Sequence, residues 1–265
     1  MLFNDPAQFL HHYYHFVAEL FFGLWAFWHG AWSAPSTSTQ LPLLSSNLLS
    51  PPIHRVIFAH ANADGWRDKP GFNAYFLRAS FPSLTVEVQE DWQDRIAATS
   101  GEGQQDRAWH FPMLLLTDRS AAFRGVFCGS KTHRTASEAL EFVKERNQLV
   151  GERVGGWWDP IRHAIWRFAG VNPVDTYAIN AQSLDSLAGA PAELALPMPD
   201  KVIITYISRQ RGSRRKLVED DHNGLVTALQ RLVETKGSSW EFNILIAERM
   251  SKDEQIKAIA RTTVR

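Results

Sequence analysis

Two hydrophobic rhythms alternate along this chain. Short apolar, β-branched runs bounded by breakers predict strands: "RVIFAHA" at 55–61, "LTVEV" at 84–88, "FPMLLLTD" at 111–118, "VIITYIS" at 202–208, and the run at 242–247. Between them, apolar positions return at helical spacing. "GFNAYFLRASFP" at 71–82 predicts one helix. Leu225, Val226, Leu229, Leu232 and Val233 mark another over 217–235, with Glu219, Asp220 and Asp221 placed to complement its dipole. Capping signatures predict further helices: Thr135 with Glu138 before a helix to about Val150, Asp159-Pro160 before one ending near Gly170, and Ser251 with Glu254 before the last. Strands alternating with helices in this way predict a parallel α/β fold.

The opening stretch "FLHHYYHFVAELFFGLWAFWHGAW", residues 9–32, predicts a buried amphipathic helix. His11, His12, His15, Glu19 and His29 interrupt it, and the unbroken apolar part at 20–28 is too short to span a bilayer. It has neither the basic n-region nor the small-residue cleavage site of a signal peptide. A Ser, Thr, Pro and Leu loop follows at 33–52.

Residues 170–199 are poor in charge and rich in Ala and Pro, which predicts a connector. The expected division is a first domain over 1–195, including the connector 170–195, and a second over 196–265. The second has only about seventy residues, below the usual size of an α/β domain. Its strands would leave a sheet edge open. Val264 reads as the start of one more strand, so the sequence is expected to stop inside a domain.

Composition narrows the function. With 265 residues and 45% apolar content the chain can bury a substantial core and is not disordered. Its 28 basic and 28 acidic residues balance, which argues against a surface built to grip nucleic acid or an anionic membrane. Cys128 stands alone, so no intrachain disulfide forms and the redox compartment is not legible; we read it as a packing residue.

Against that neutral background, five of the eight residues at 209–216 are basic. The turn follows the strand at 202–208 and precedes a helix, and ligands of open α/β sheets bind at the carboxyl ends of strands. Arginine forks and helix N-terminal N–H groups suit a phosphate there; a solvated surface loop is the alternative. Neither a P-loop nor a dinucleotide Gly-x-Gly-x-x-Gly pattern is present. His15 and Glu19, four residues apart on one helical face, could form a proton-accepting pair, or a polar stripe beside an aromatic core. His11 could join them around a metal, although no zinc motif matches. "HANADGWRD" and "TDRSAAFRG" offer Arg67, Arg119 and Arg124 as cleft cations, with ion pairs to Asp64, Asp68 or Asp118 as the alternative. Trp25, Trp28, Trp157, Trp158 and Trp166 read as core residues, or as platforms for sugar rings where exposed.

Several blocks together resemble glycosyltransferase family 61-like proteins, particularly fungal members related to extracellular O-linked N-acetylglucosamine transferases. They are "HHYYHFVAELFFGLWAFW", "RVIFAHA..GWRD..GFNAYFLRASFPSLTVE", "DRSAAFRG", and "ITYISRQ...RRKL...DH..LV" followed by "ERMSKDEQIKAIARTTV". The resemblance covers nearly the whole chain. It implies a GT-B-like architecture, two Rossmann-like domains, the C-terminal one incomplete and holding a UDP-sugar. Arg209, Arg214 and Arg215 would neutralise the diphosphate, with His222 and Glu248 also on the donor side. His15 or Glu19 would be the base for a protein or glycan hydroxyl, and Arg67, Arg119 and Arg124 would lie on the acceptor side of the cleft. Transfer of N-acetylglucosamine or xylose would invert the anomeric carbon, with no metal or other cofactor and no nucleic-acid partner. Such proteins work in the Golgi or endoplasmic reticulum lumen behind a membrane anchor. That anchor, and the glycine-rich loop that follows "RTTV" in similar proteins, are missing from this sequence, which is therefore expected to be a fragment. A nucleotide- or glycan-binding relative without catalysis is the alternative, and a scaffold whose basic loop meets an acidic protein is a third reading.

Overall fold

A computed structural model describes residues 1–32, 51–103, 107–117, 158–172, 201–211 and 216–263. The chain is mixed α/β with small parallel sheets, as the alternation of elements predicts, and divides into the units Met1–Arg162 and His163–Arg265. The expected boundary near 195, the Thr135 helix and Val264 lie outside the described residues.

In the first unit β1 (Leu2–Phe3), β2 (Arg55–Phe58) and β3 (Thr85–Glu87) form a parallel sheet in the order β1-β2-β3. The register sets Leu2 beside Ile57, Phe3 beside Phe58 and Ile57 beside Glu87. Val56, Ile57 and Phe58 of the central strand are all buried, which is why this short run carries no polar alternation. The predicted strand at 111–118 needs correction, because it contributes a single parallel bridge between Leu2 and Leu116. Leu2 N donates to Leu115 O at 2.8 Å and Thr117 N to Leu2 O at 3.0 Å. A two-residue β1 offers no longer ladder, and Met113, Leu114 and Leu116 remain exposed.

The N-terminal helix is also divided. After α1 (Ala7–Leu10), a π-helical segment (His15–Phe21) runs into α2 (Phe22–Trp32). Phe22 N reaches back to Val17 O, and this wider turn brings Phe16, Leu20 and Phe21 all to the buried side. Among the described residues no helix is long and apolar enough to cross a membrane. The core is aromatic: Phe3 and Phe16 lie 5.3 Å apart, and Phe21 meets Phe76 edge-on at 4.8 Å. Phe76 comes from α3 (Phe72–Ser80), which starts after Gly71 at φ 80°, a left-handed conformation that glycine adopts without strain.

α4 (Gln89–Ser100) has no counterpart in the sequence reading. It buries no residue, so it shows no clear apolar stripe. Its legible signal is acidic, with Glu90 and Asp91 in the first turn and Asp91 Oδ2 accepting from Val88 N at 2.8 Å. α5 (Asp159–Phe168) begins at the predicted Asp-Pro pair.

In the second unit β4 (Val202–Ile207) and β5 (Trp240–Leu245) pair in parallel, from Val202 beside Trp240 to Ile207 beside Leu245. The predicted 242–247 strand thus starts earlier, and Ala247 falls in a 3₁₀ turn (Ala247–Arg249). α6 (Glu219–Lys236) makes the crossover, with His222, Val226, Leu229 and Val233 as its partly buried stripe. α7 (Lys252–Ala260) has the predicted capping box: Ser251 Oγ accepts from Glu254 N at 3.2 Å, and Glu254 Oε2 accepts from Ser251 N at 2.7 Å. These bonds hold the Glu254 carboxyl below its usual pKa.

Beyond α7 the chain returns to β4. Val202 and Ser208 give their N–H groups to the β5 side, so Ile203 faces the opposite edge. There Ile203 O accepts from Thr263 N at 2.8 Å, and the Thr205 and Thr262 hydroxyls meet at 2.7 Å. The residues after α7 therefore touch the edge of β4 opposite β5 without forming a strand there, and the sheet has two strands.

Candidate functional site

The parallel register decides where the donor-side candidates fall. Ile207 lies beside Leu245 and Ser208 N donates to Leu245 O at 2.8 Å, so the segments leaving β4 and β5 emerge at one end of the sheet. Arg209 is exposed immediately after β4, and Glu248 is exposed in the turn after β5. His222 stands in the first part of α6, at the same end, where its Nδ1 lies 3.1 Å from the Tyr206 hydroxyl. This contact fixes α6 against the end of β4 and turns the imidazole toward the sheet. Arg214 and Arg215 lie outside the described residues.

Gln210 was not singled out from the sequence, and it closes the base of the basic turn. Its Nε2 donates to Leu217 O at 3.1 Å and its Oε1 accepts from Leu217 N at 2.9 Å. The side-chain amide thus imitates a paired backbone and ties residue 210 to residue 217, with Arg211 and Lys216 exposed just inside the tie. Nothing local distinguishes such a glutamine from any other polar loop residue. The helix N-terminus expected to add N–H donors opens instead with the carboxylates of Glu219, Asp220 and Asp221. These occupy the positive end of the dipole, so an anion here would be held by the loop cations.

In the first unit His15 and Glu19 do meet. His15 Nδ1 lies 2.9 Å from Glu19 Oε2, with the imidazole side chain 22% exposed and the carboxylate fully buried. The approach is close without the alignment of a hydrogen bond, and it is an ion pair only when the imidazole is protonated. A carboxylate shut from solvent cannot itself receive an incoming hydroxyl. The geometry divides the pair into an accessible imidazole and a buried group that orients it. His11 is exposed and its Nδ1 contacts Ala7 O at 2.6 Å. Among the described residues, no group of three or more His, Cys, Asp and Glu side chains is arranged to hold a metal.

The ion-pair alternative for Arg67 is replaced by other contacts. Its guanidinium stacks 4.5 Å from the Trp66 ring, and its Nε donates to Ala63 O at 3.0 Å. Asp68 is buried and accepts from Asn73 N at 2.7 Å, acting on the start of α3. Burial first, and then the Asp68 charge, push the Tyr13 hydroxyl up to about 12. Arg119 and Arg124 lie outside the described residues.

A polar cluster absent from the sequence reading sits at Glu87. This buried carboxylate takes Nε and Nη2 of Arg95 at 3.1 and 2.6 Å and also contacts Arg55 Nη1. Arg95 in turn stacks 4.5 Å from the Trp109 ring and accepts at its carbonyl from Trp109 Nε1 at 3.0 Å. Its one carboxylate serves two guanidinium groups, and with the Trp109 contacts it ties β2, β3, α4 and the 107–111 segment together.

No family model, no curated protein and no solved structure matches the chain.

Proposed function

We propose that the chain belongs to an inverting, metal-independent glycosyltransferase of GT-B-like architecture. It would move N-acetylglucosamine or xylose from a UDP-sugar to a protein or glycan hydroxyl in the lumen of the secretory pathway. One observation carries the reading: a strongly basic turn follows the carboxyl end of the parallel strand β4, beside the turn that leaves β5. In open α/β sheets, ligands collect at the carboxyl ends of the strands. Arg209 and the cations that follow would neutralise the diphosphate as its bond to the anomeric carbon breaks. The acceptor oxygen would attack that carbon and give its proton to a general base, a role the resemblance carries onto His15 or Glu19. UDP then departs with the bonding electron pair.

Titration calorimetry with UDP tests the reading. The folded chain should bind UDP, and Arg209→Ala should weaken the affinity about tenfold, as loss of a charge-assisted hydrogen bond requires. A folded chain that gives no heat with UDP, or an Arg209→Ala variant with unchanged affinity, rejects it.

A further inference from the structure

We infer that Gln210 is a positioning residue, which holds the two stems of the basic turn together for a pyrophosphate group. The inference rests on the glycosyltransferase reading for the place of the diphosphate, and it adds how the turn is made ready. The stem leaving β4 is anchored first: Ser208 is buried, and its N–H donates to Leu245 O at 2.8 Å. Gln210, half-buried two residues on, then spends both halves of its amide on Leu217, as donor at 3.1 Å and as acceptor at 2.9 Å. This two-bond pairing joins the stem leaving β4 to the stem entering α6. The freedom lost in closing a loop is thus lost on folding, before any ligand arrives.

The charges on the two stems give the tie its purpose. Arg209 and Arg211 are exposed on the first stem and Lys216 on the second. Glu219, Asp220 and Asp221 open α6 just beyond Lys216, and Glu248 stands in the turn after β5. Yet Arg209, Arg211 and Lys216 form no ion pair with any of the described residues. The α6 acids meet the positive end of their own helix instead. Cations of like sign on stems held together repel one another, and an anion bound between them relieves that repulsion. A single phosphate can be met by either stem alone. Pyrophosphate, with a charged group at each end, can engage both, so it is the ligand that needs the stems joined.

Titration calorimetry of the full chain with inorganic pyrophosphate and inorganic phosphate, at one fixed salt concentration, tests the inference. The unmodified chain should bind pyrophosphate about tenfold more tightly than phosphate. Gln210→Met keeps the length of the side chain and removes both bonds to Leu217. It should weaken pyrophosphate about tenfold and phosphate less than about twofold, a split that a general loss of structure would not produce. Residue 210 lies in a turn outside the strands and helices, so folding should survive, which circular dichroism checks. The inference is overturned if pyrophosphate does not bind, if it binds no more tightly than phosphate, or if Gln210→Met leaves its affinity unchanged or weakens both anions alike. UDP separates the two claims. A chain that binds pyrophosphate in this Gln210-dependent way but not UDP rejects the glycosyltransferase reading alone, whereas UDP binding that is the same in Gln210→Met rejects the positioning role alone.

Discussion

In the first unit Phe3, Phe16, Phe21, Phe58 and Phe76 are fully buried around a parallel sheet, whereas in the second α6 buries no residue at all among those described. Leu225 and Leu232 of α6 are 38% and 39% exposed, and among the described residues of this unit only Val202, Ile204, Thr205, Ser208 and Ala169 are buried. The polar groups differ in the same sense. In the first unit Glu19, Asp68 and Glu87 are taken out of water and held by neighbours, while in the second Arg209, Arg211, Lys216 and Glu248 stand in solvent. Closely packed aromatic rings fix the side chains around them. Cations held in place only at the base of a loop keep their capacity to meet an external anion. The first unit therefore holds its polar groups in fixed places, and the second leaves its cations free to meet a solute.

The largest test of this contrast is truncation of matched apolar residues. Phe76→Ala should destabilise the chain by about 3–5 kcal/mol in urea unfolding, from lost transfer energy plus the cavity left behind. Leu225→Ala should cost about 1 kcal/mol or less, because its side chain already reaches solvent. Equal losses at both positions would break the comparison.

The next test uses pH. Tyr13 ionises near 10 when the chain is unfolded and at about 12 in the folded unit, so folding favours its neutral form. The stability this provides is complete below pH 10 and is lost as pH rises through 12. Absorbance titration at the tyrosinate band should show a late component near pH 12 among the five tyrosines, and Tyr13→Phe should remove it. Persistence of that component in Tyr13→Phe would show that burial in the first unit does not act on this hydroxyl.

The smallest effect belongs to the second unit's exposed cap. Ser251→Ala should cost about 1 kcal/mol, since one N–H of α7 loses its partner. It should also raise the Glu254 carboxyl only part of the way toward its ordinary pKa, because the bond from the Ser251 backbone N–H, the larger cause, is kept and the bond from its hydroxyl is lost. Carboxyl NMR titration of Glu254 reads this directly. A Glu254 pKa identical in Ser251→Ala and the unmodified chain would show that the Ser251 hydroxyl has no part in the depression.

Much of the fold is legible because its causes are local. The strand at 202–207, the helix from Asp159-Pro160 and the capping box at Ser251 follow from side-chain period and from hydrogen bonds spanning three residues. α4 escaped because its helix is signalled by acids rather than by an apolar stripe. The basic turn was legible for the same local reason, since charge density and a preceding strand are both visible in a short window.

What tertiary structure alone decided depends on partners far away in the chain. The run at 111–118 has the composition of a strand, yet only Leu116 bridges, because the two-residue β1 beside it limits the ladder. His15 and Glu19 are neighbours at helical spacing, but their division into exposed and buried members is set by the packing around a π-helical turn. Gln210 is an ordinary polar residue in the sequence, and its side chain becomes the tie between residues 210 and 217. Periodicity and capping chemistry act within a few residues and so can be read in order, whereas burial and pairing are properties of which distant segments arrive beside them.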